Sequence, residues 1–265
     1  MHRAAEHLQI VARAGYAARG IIYLIVGALA AVAAWGGGGK TTDSRGALTE
    51  ILIAPFGKIL LTVVAAGLVC YAAWRAAQAV LNADDHGRDL KGFTIRAGLG
   101  VSAVTHFGLA LFALSLVFGW GGSGGEGGSE KEWTAWLLNQ PFGPWLVGAV
   151  GITIVGVGIA HFIKAWTAKF ERHFDMNANE RKIITPVSRF GLFARGAVFL
   201  IAGGFFLVAA IQHDPSEARG LGGALQALQQ QSFGSVLLGI VALGLVAFGV
   251  YSVIESVYRR ISMTG

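Results

Sequence analysis

Six stretches of this chain carry no Asp, Glu, Lys or Arg, and each comes close to the length a helix needs to cross a bilayer: Gly20 to Gly39, Ile59 to Trp74, Ala97 to Gly125, Trp133 to Ile163, Gly196 to His213 and Gly220 to Ile254. A helix rising 1.5 Å per residue covers the hydrocarbon core with roughly 20 apolar residues. In lipid every backbone N–H and C=O must find its partner inside the protein, so such runs can fold only as helices. The composition agrees, with 54% hydrophobic and 14% charged residues against roughly 25% charged in a soluble domain. The fold class predicted is an all-α membrane protein with six transmembrane helices in a single membrane domain spanning residues 1–265.

Orientation follows from the basic residues, which cytoplasmic loops retain. With residues 1–19 inside, 16 of the 21 Lys and Arg fall on inner segments. An even number of spans then places both termini in the cytoplasm, and the expected location is the cytoplasmic (inner) membrane of a bacterium. The net charge of +6 is thereby accounted for without nucleic acid. The first apolar run is read as a span and not as a signal peptide, because the same pattern recurs inside the chain. Cys70 is the single cysteine and excludes an intramolecular disulfide.

That recurrence organises the chain. "RAGYAARG" at 13–20 returns as "RFGLFARG" at 189–196, and aligning Arg13 with Arg96 and Arg189 places Gly15 on Gly98 and Gly191, Gly20 on Ala103 and Gly196, and Gly27 on Ala110 and Gly203. The second helix of each unit is announced by "PFG" at 55–57, "PFG" at 141–143 and "SFG" at 232–234. Pro55 and Pro141 are placed at helix starts, where a missing N–H costs nothing. Further along, Gly67 is matched with Gly156 and Gly244 by allowing a slip of about three residues in the middle copy. Three tandem helical hairpins result, at 10–83, 93–170 and 186–258, related by a pseudo-threefold axis. Ahead of each second span, "GALTEILIA", "EWTAWLLNQ" and "GGALQALQQ" have helical spacing and are predicted as short interfacial helices on the outer side.

This order of an Arg-Gly helix start, a "PFG"-type second start and three copies resembles the bacterial integral membrane proteins catalogued as domain of unknown function 1206. The resemblance covers about Arg13 to Glu255 and implies a six-span membrane protein with no activity attached. The middle copy departs most, with Ser102 in the place of Arg19 and Arg195, and His106 in the place of Tyr23 and Phe199.

Candidate chemistry is sparse. Arg19, Arg75, Arg88 and Arg195 read as anchors that snorkel to headgroups. Arg13, Arg96 and Arg189 each lead small residues seven and fourteen positions on, so Gly20, Gly27, Gly196 and Gly203 are assigned to helix packing. The three arginines are expected to face inward together at the cytoplasmic mouth, with Glu255 as counter-charge, forming a site for an anionic lipid headgroup or solute. His106 and His161 fall at similar depth and form a possible polar intramembrane site. A haem between them is the less favoured reading, and neither a cofactor nor a metal is expected. The run "ADDHGRD" at 83–89 reads as a solvated turn.

No nucleophile and base can be placed together, so no enzyme is expected. The function predicted is a lipid-binding or scaffolding membrane component whose partners are membrane lipids. A small-solute transporter or channel built from three parallel hairpins is the alternative.

Overall fold

The computed structural model describes residues 2–36, 41–85, 87, 89–120 and 128–260. Among these, six long helices are α1 (His2–Ala34), α3 (Gly57–Leu81), α4 (Leu90–Phe118), α6 (Gly143–Thr167), α7 (Ala178–Gln212) and α9 (Gly234–Tyr258), and all six are long and apolar enough to cross a membrane. Three short helices, α2 (Ser44–Ile53), α5 (Gly128–Leu138) and α8 (Leu221–Gln229), precede the second long helix of each hairpin. The long helices overrun the uncharged stretches at the basic end, where polar residues continue them: α7 opens on a capping box formed by Asn177 and Glu180. Two of the expected spans start too early, because Trp133 and Gly220 belong to the short-helix segments and the spans begin at Gly143 and Gly234.

The "FG" starts have one geometry. In each copy the glycine N–H donates to a carbonyl three residues back, Gly57 to Ala54 at 2.8 Å, Gly143 to Gln140 at 2.9 Å and Gly234 to Gln231 at 2.8 Å. A methyl group on these glycines would lie 2.0, 2.2 and 1.9 Å from the carbonyl oxygens of Leu52, Leu138 and Gln229. No other residue fits so tight a fold-back. Pro55 and Pro141 stand in this turn, one residue before Phe56 and Phe142, which adopt positive φ, and so they do not open the helices themselves.

The three second helices share one length of 25 residues counted from these glycines. Leu61, Val147 and Leu238, four positions in, are all fully buried. The middle copy therefore has no slip: Thr153, and not Gly156, stands opposite Gly67 and Gly244. The shared turn sets the register, and a lone glycine match was a weaker guide.

Packing runs from one hairpin to the next. α3 packs on α4, α6 on α7 and α9 on α1. Small residues seven apart line these seams, and the backbones approach closely there: a methyl on Gly20 would lie 2.9 Å from the Gly249 oxygen, and one on Gly196 would lie 3.1 Å from the Gly158 oxygen. Gly27 and Gly203 meet Val246 and Val155 in the same way. The four assigned glycines are thus at helix contacts.

Within the hairpins the copies differ. α1 packs along α3 and α7 along α9, while α4 and α6 are barely in contact. In the outer hairpins the Ala18 methyl lies against Gly67 and the Ala194 methyl against Gly244, and Gly15 and Gly191 touch the backbones of Tyr71 and Phe248. The middle hairpin carries Val101 and Thr153 in place of the Ala–Gly pair, and Gly98 and Gly156 would admit a methyl group with no atom within 4 Å. Two larger side chains thus stand where the other copies allow only a methyl against a hydrogen, and the close seam of the outer hairpins has no counterpart between α4 and α6.

Candidate functional site

The common register aligns the chemistry-bearing side chains. Twenty-one positions after Gly57, Gly143 and Gly234 stand Gln78, Lys164 and Glu255; three positions before these stand Arg75, His161 and Ser252. On the first helices the equivalent positions are Arg19, Ser102 and Arg195, followed four residues on by Tyr23, His106 and Phe199. Residues four apart share a helix face. These faces meet in a buried cluster of polar side chains, termed the chamber, toward the basic end of the bundle.

Glu255 is its anionic centre. It is 1% exposed and accepts hydrogen bonds from Arg19, from Arg259 at 3.0 Å and from the Tyr251 hydroxyl at 2.9 Å. Arg19 also donates to Ser252 at 3.1 Å and to Tyr71, and its guanidinium lies over the Tyr16, Tyr71 and Phe248 rings. Arg259 bridges on to Asp84 at 2.7 Å, Arg75 donates to Gln78 at 2.9 Å, and Lys164 donates to Tyr251 at 2.7 Å. Arg259 lies just past the last span. Burial alone would lower its pKa, and Tyr16, Glu255 and Asp84 outweigh that and hold it above the usual guanidinium range. On the same rim, burial and then Arg259 push the His173 imidazole down to about 4, so it is neutral at pH 7.

Arg195 is different. Its residue is 9% exposed, its Nε has no partner, and among the described residues it makes no hydrogen bond or ion pair. It is held instead over the rings of Phe248, Tyr23 and Phe199, at 4.4, 4.9 and 4.9 Å. The His161 ring lies against two of these, Phe199 and Phe248. Cations over aromatic faces gain some attraction, but the buried Nε of this guanidinium still lacks an acceptor.

Several sequence expectations need correcting. Arg19 and Arg195 are buried and do not snorkel; on their own helices they looked like anchors, but their faces turn toward the chamber. Arg75 is half-buried and bonded into it, and Arg88 lies outside the described residues. Arg13, Arg96 and Arg189 are not gathered at one mouth. Arg96 donates to the carbonyls of Ala79 at 2.7 Å and Val80 at 3.0 Å at the end of α3, Arg189 reaches the Trp166 carbonyl at the end of α6, and Arg13 is half-buried on α1. The seven-residue stripe does face protein, but it faces the seam with the preceding hairpin. There Arg96 and Arg189 satisfy orphan carbonyls of a helix C-terminus.

Glu255 meets Arg19 and Arg259 instead. "ADDHGRD" is more than a solvated turn, since Asp84 pairs with Arg259 and Asp89 caps α4 through the Gly92 N–H; His86 lies outside the described residues. His106 and His161 sit on the two helices of the splayed hairpin. Each sets Nδ1 against a carbonyl four residues back, Ser102 at 2.8 Å and Val157 at 2.7 Å, and His106 packs on Tyr71. Among the described residues no group of three or more His, Cys, Asp or Glu could hold a metal ion.

By the length and apolarity of its helices, then, this is an all-helical, multi-pass membrane protein built from three tandem units. The chain belongs to the family described as Domain of Unknown Function (DUF1206), whose model matches residues 14–82, 97–168 and 190–259. It is 35% identical over 253 residues to the uncharacterised protein YxxB of Bacillus subtilis (strain 168), covering 94% of this chain and 90% of that protein. No solved structure matches.

Proposed function

We propose that the protein is a non-enzymatic membrane component that binds an anionic ligand, a phosphate or carboxylate group, in the chamber. Arg195 carries the reading. A buried cation without acceptors is costly, and a guanidinium pairs bidentately with such groups. The surroundings strengthen it: five cations, Arg19, Arg75, Lys164, Arg195 and Arg259, face two carboxylates, Glu255 and Asp84. The excess positive charge is complementary to an anion.

Anionic lipid retention tests the reading. The full chain is reconstituted into phosphatidylcholine vesicles containing phosphatidylglycerol, extracted, and weighed by native mass spectrometry. Wild type is expected to retain phosphatidylglycerol, and Arg195→Gln to retain about 10- to 100-fold less, the scale of one charge-assisted hydrogen-bonded contact. Arg260→Gln, which touches only an exposed pair with Asp175, serves as control. Equal retention by Arg195→Gln and wild type would remove the basis for the proposal.

The distribution of Lys and Arg supports placing the chamber's basic end at the cytoplasm. In a Cys70→Ala background, Gln231→Cys, on an exposed turn at the opposite end, is expected to react with a membrane-impermeant maleimide in intact cells. Reaction only after cell disruption would invert the orientation.

A further inference from the structure

We propose that the ligand enters the chamber sideways from the bilayer, through the splayed middle hairpin, and is an anionic phospholipid whose acyl chain lies between α4 and α6 while its headgroup reaches Arg195 and Lys164. This rests on the anion-binding reading and adds to it a route and an apolar tail.

The opening is written into the sequence. The outer hairpins are closed by an alanine methyl on a glycine, Ala18 on Gly67 and Ala194 on Gly244. At those two positions the middle copy has Val101, 55% exposed, and Thr153, also exposed. Both enlargements fall in the same hairpin, the one whose helices stand apart. Meanwhile Gly98 keeps the glycine of Gly15 and Gly191 but faces open space, as does Gly156 on the facing helix.

The opening also leads to the chamber. Among the three equivalent positions Gln78, Lys164 and Glu255, the first and last are 0% and 1% exposed, whereas the Lys164 side chain is 40% exposed. One turn away Ser252 is fully buried while His161 and Arg75 are both half-buried, so the contrast is carried by Lys164. The middle hairpin thus contributes the reachable member of the Gln78, Lys164 and Glu255 set.

The flanks select the occupant. Val104 and Phe107 on α4 and Ile152 and Ile159 on α6 are large, apolar and exposed, as lipid-facing side chains are. A free anion offers nothing to that apolar surface. A phospholipid already lies in it, and offers in one molecule a negative group for the chamber's excess positive charge and an apolar chain for the exposed faces of α4 and α6.

The test uses the full chain in phosphatidylcholine vesicles containing phosphatidylglycerol with a diazirine on its acyl chain. After photolysis, adducts are expected to concentrate on α4 and α6 around Val101, Thr153 and Val157, and to fall about tenfold in Arg195→Gln. Val101→Trp, which fills the gap from a lipid-exposed position, is expected to reduce adducts at Thr153 to a similar degree, and Val101→Phe to do so in part. Adducts spread evenly over all six spans, or unchanged by both Val101 variants, overturn the sideways route. If inorganic phosphate stabilises the wild type but not Arg195→Gln and these adducts do not form, the lipid is overturned and the anion-binding chamber stands. If neither phosphate nor lipid depends on Arg195, the underlying reading falls as well.

Discussion

Glu255→Gln is expected to be the most destabilising single polar substitution in the protein, costing about 3–5 kcal/mol, because it removes the one carboxylate shared by Arg19 and Arg259 and leaves two buried guanidiniums facing a neutral amide. The amide keeps the shape of the carboxylate and can still accept from the Tyr251 hydroxyl, so the loss is one of charge and not of packing. Thermal unfolding in detergent measures it. The double variant Arg19→Gln/Glu255→Gln is expected to recover part of the loss, since two neutral partners are better than one orphaned charge. A melting temperature unchanged by Glu255→Gln would mean that these cations find other acceptors.

The second large effect is a contrast between equivalent residues. Gly191→Ala is expected to cost about 1–3 kcal/mol, because its methyl would lie 2.4 Å from the Phe248 backbone nitrogen and α7 and α9 would have to separate. Gly98→Ala, at the same repeat position, meets open space. It is expected to be neutral or to stabilise by up to about 1 kcal/mol through helix propensity. Unfolding temperatures of the two variants decide the matter, and equal losses at both positions would contradict a splayed middle hairpin.

Much of this fold was legible because the bilayer permits few alternatives. Uncharged runs of the right length gave six helices, and the "FG" starts gave three units. Gly20, Gly27, Gly196 and Gly203 were found at helix seams from nothing more than a seven-residue interval. The chamber was harder to see, for a physical reason: one helix taken alone does not tell whether an arginine near its end turns to headgroups or to a neighbour. Taken helix by helix, Arg19 and Arg195 therefore look like anchors, while Arg96 and Arg189, whose small-residue stripe faces protein, look like a site although they bond helix ends.

A usable signal was present. Gln78, Lys164 and Glu255 occupy one repeat position inside apolar spans, where polar residues are expensive. A three-residue slip in the middle copy, which the match of Gly156 with Gly67 requires, hides that alignment. The splaying of α4 from α6 could have been suspected from Val101 and Thr153, but only once the closed hairpins showed what those positions must accommodate.

The pairing of Arg19 with Glu255 also fixes an order of events in biosynthesis. The two residues are 236 positions apart, on the first and last long helices. At about 5–20 residues per second, some tens of seconds of translation separate the arginine from its carboxylate. Throughout that interval Arg19 has the Tyr71 hydroxyl and the rings of Tyr16 and Tyr71 but no counter-charge, and the first helix cannot close its seam with α9. The nascent protein must therefore be held in an incomplete arrangement until the sixth helix arrives, and truncation anywhere before Glu255 leaves the first helix without the partner that seats it.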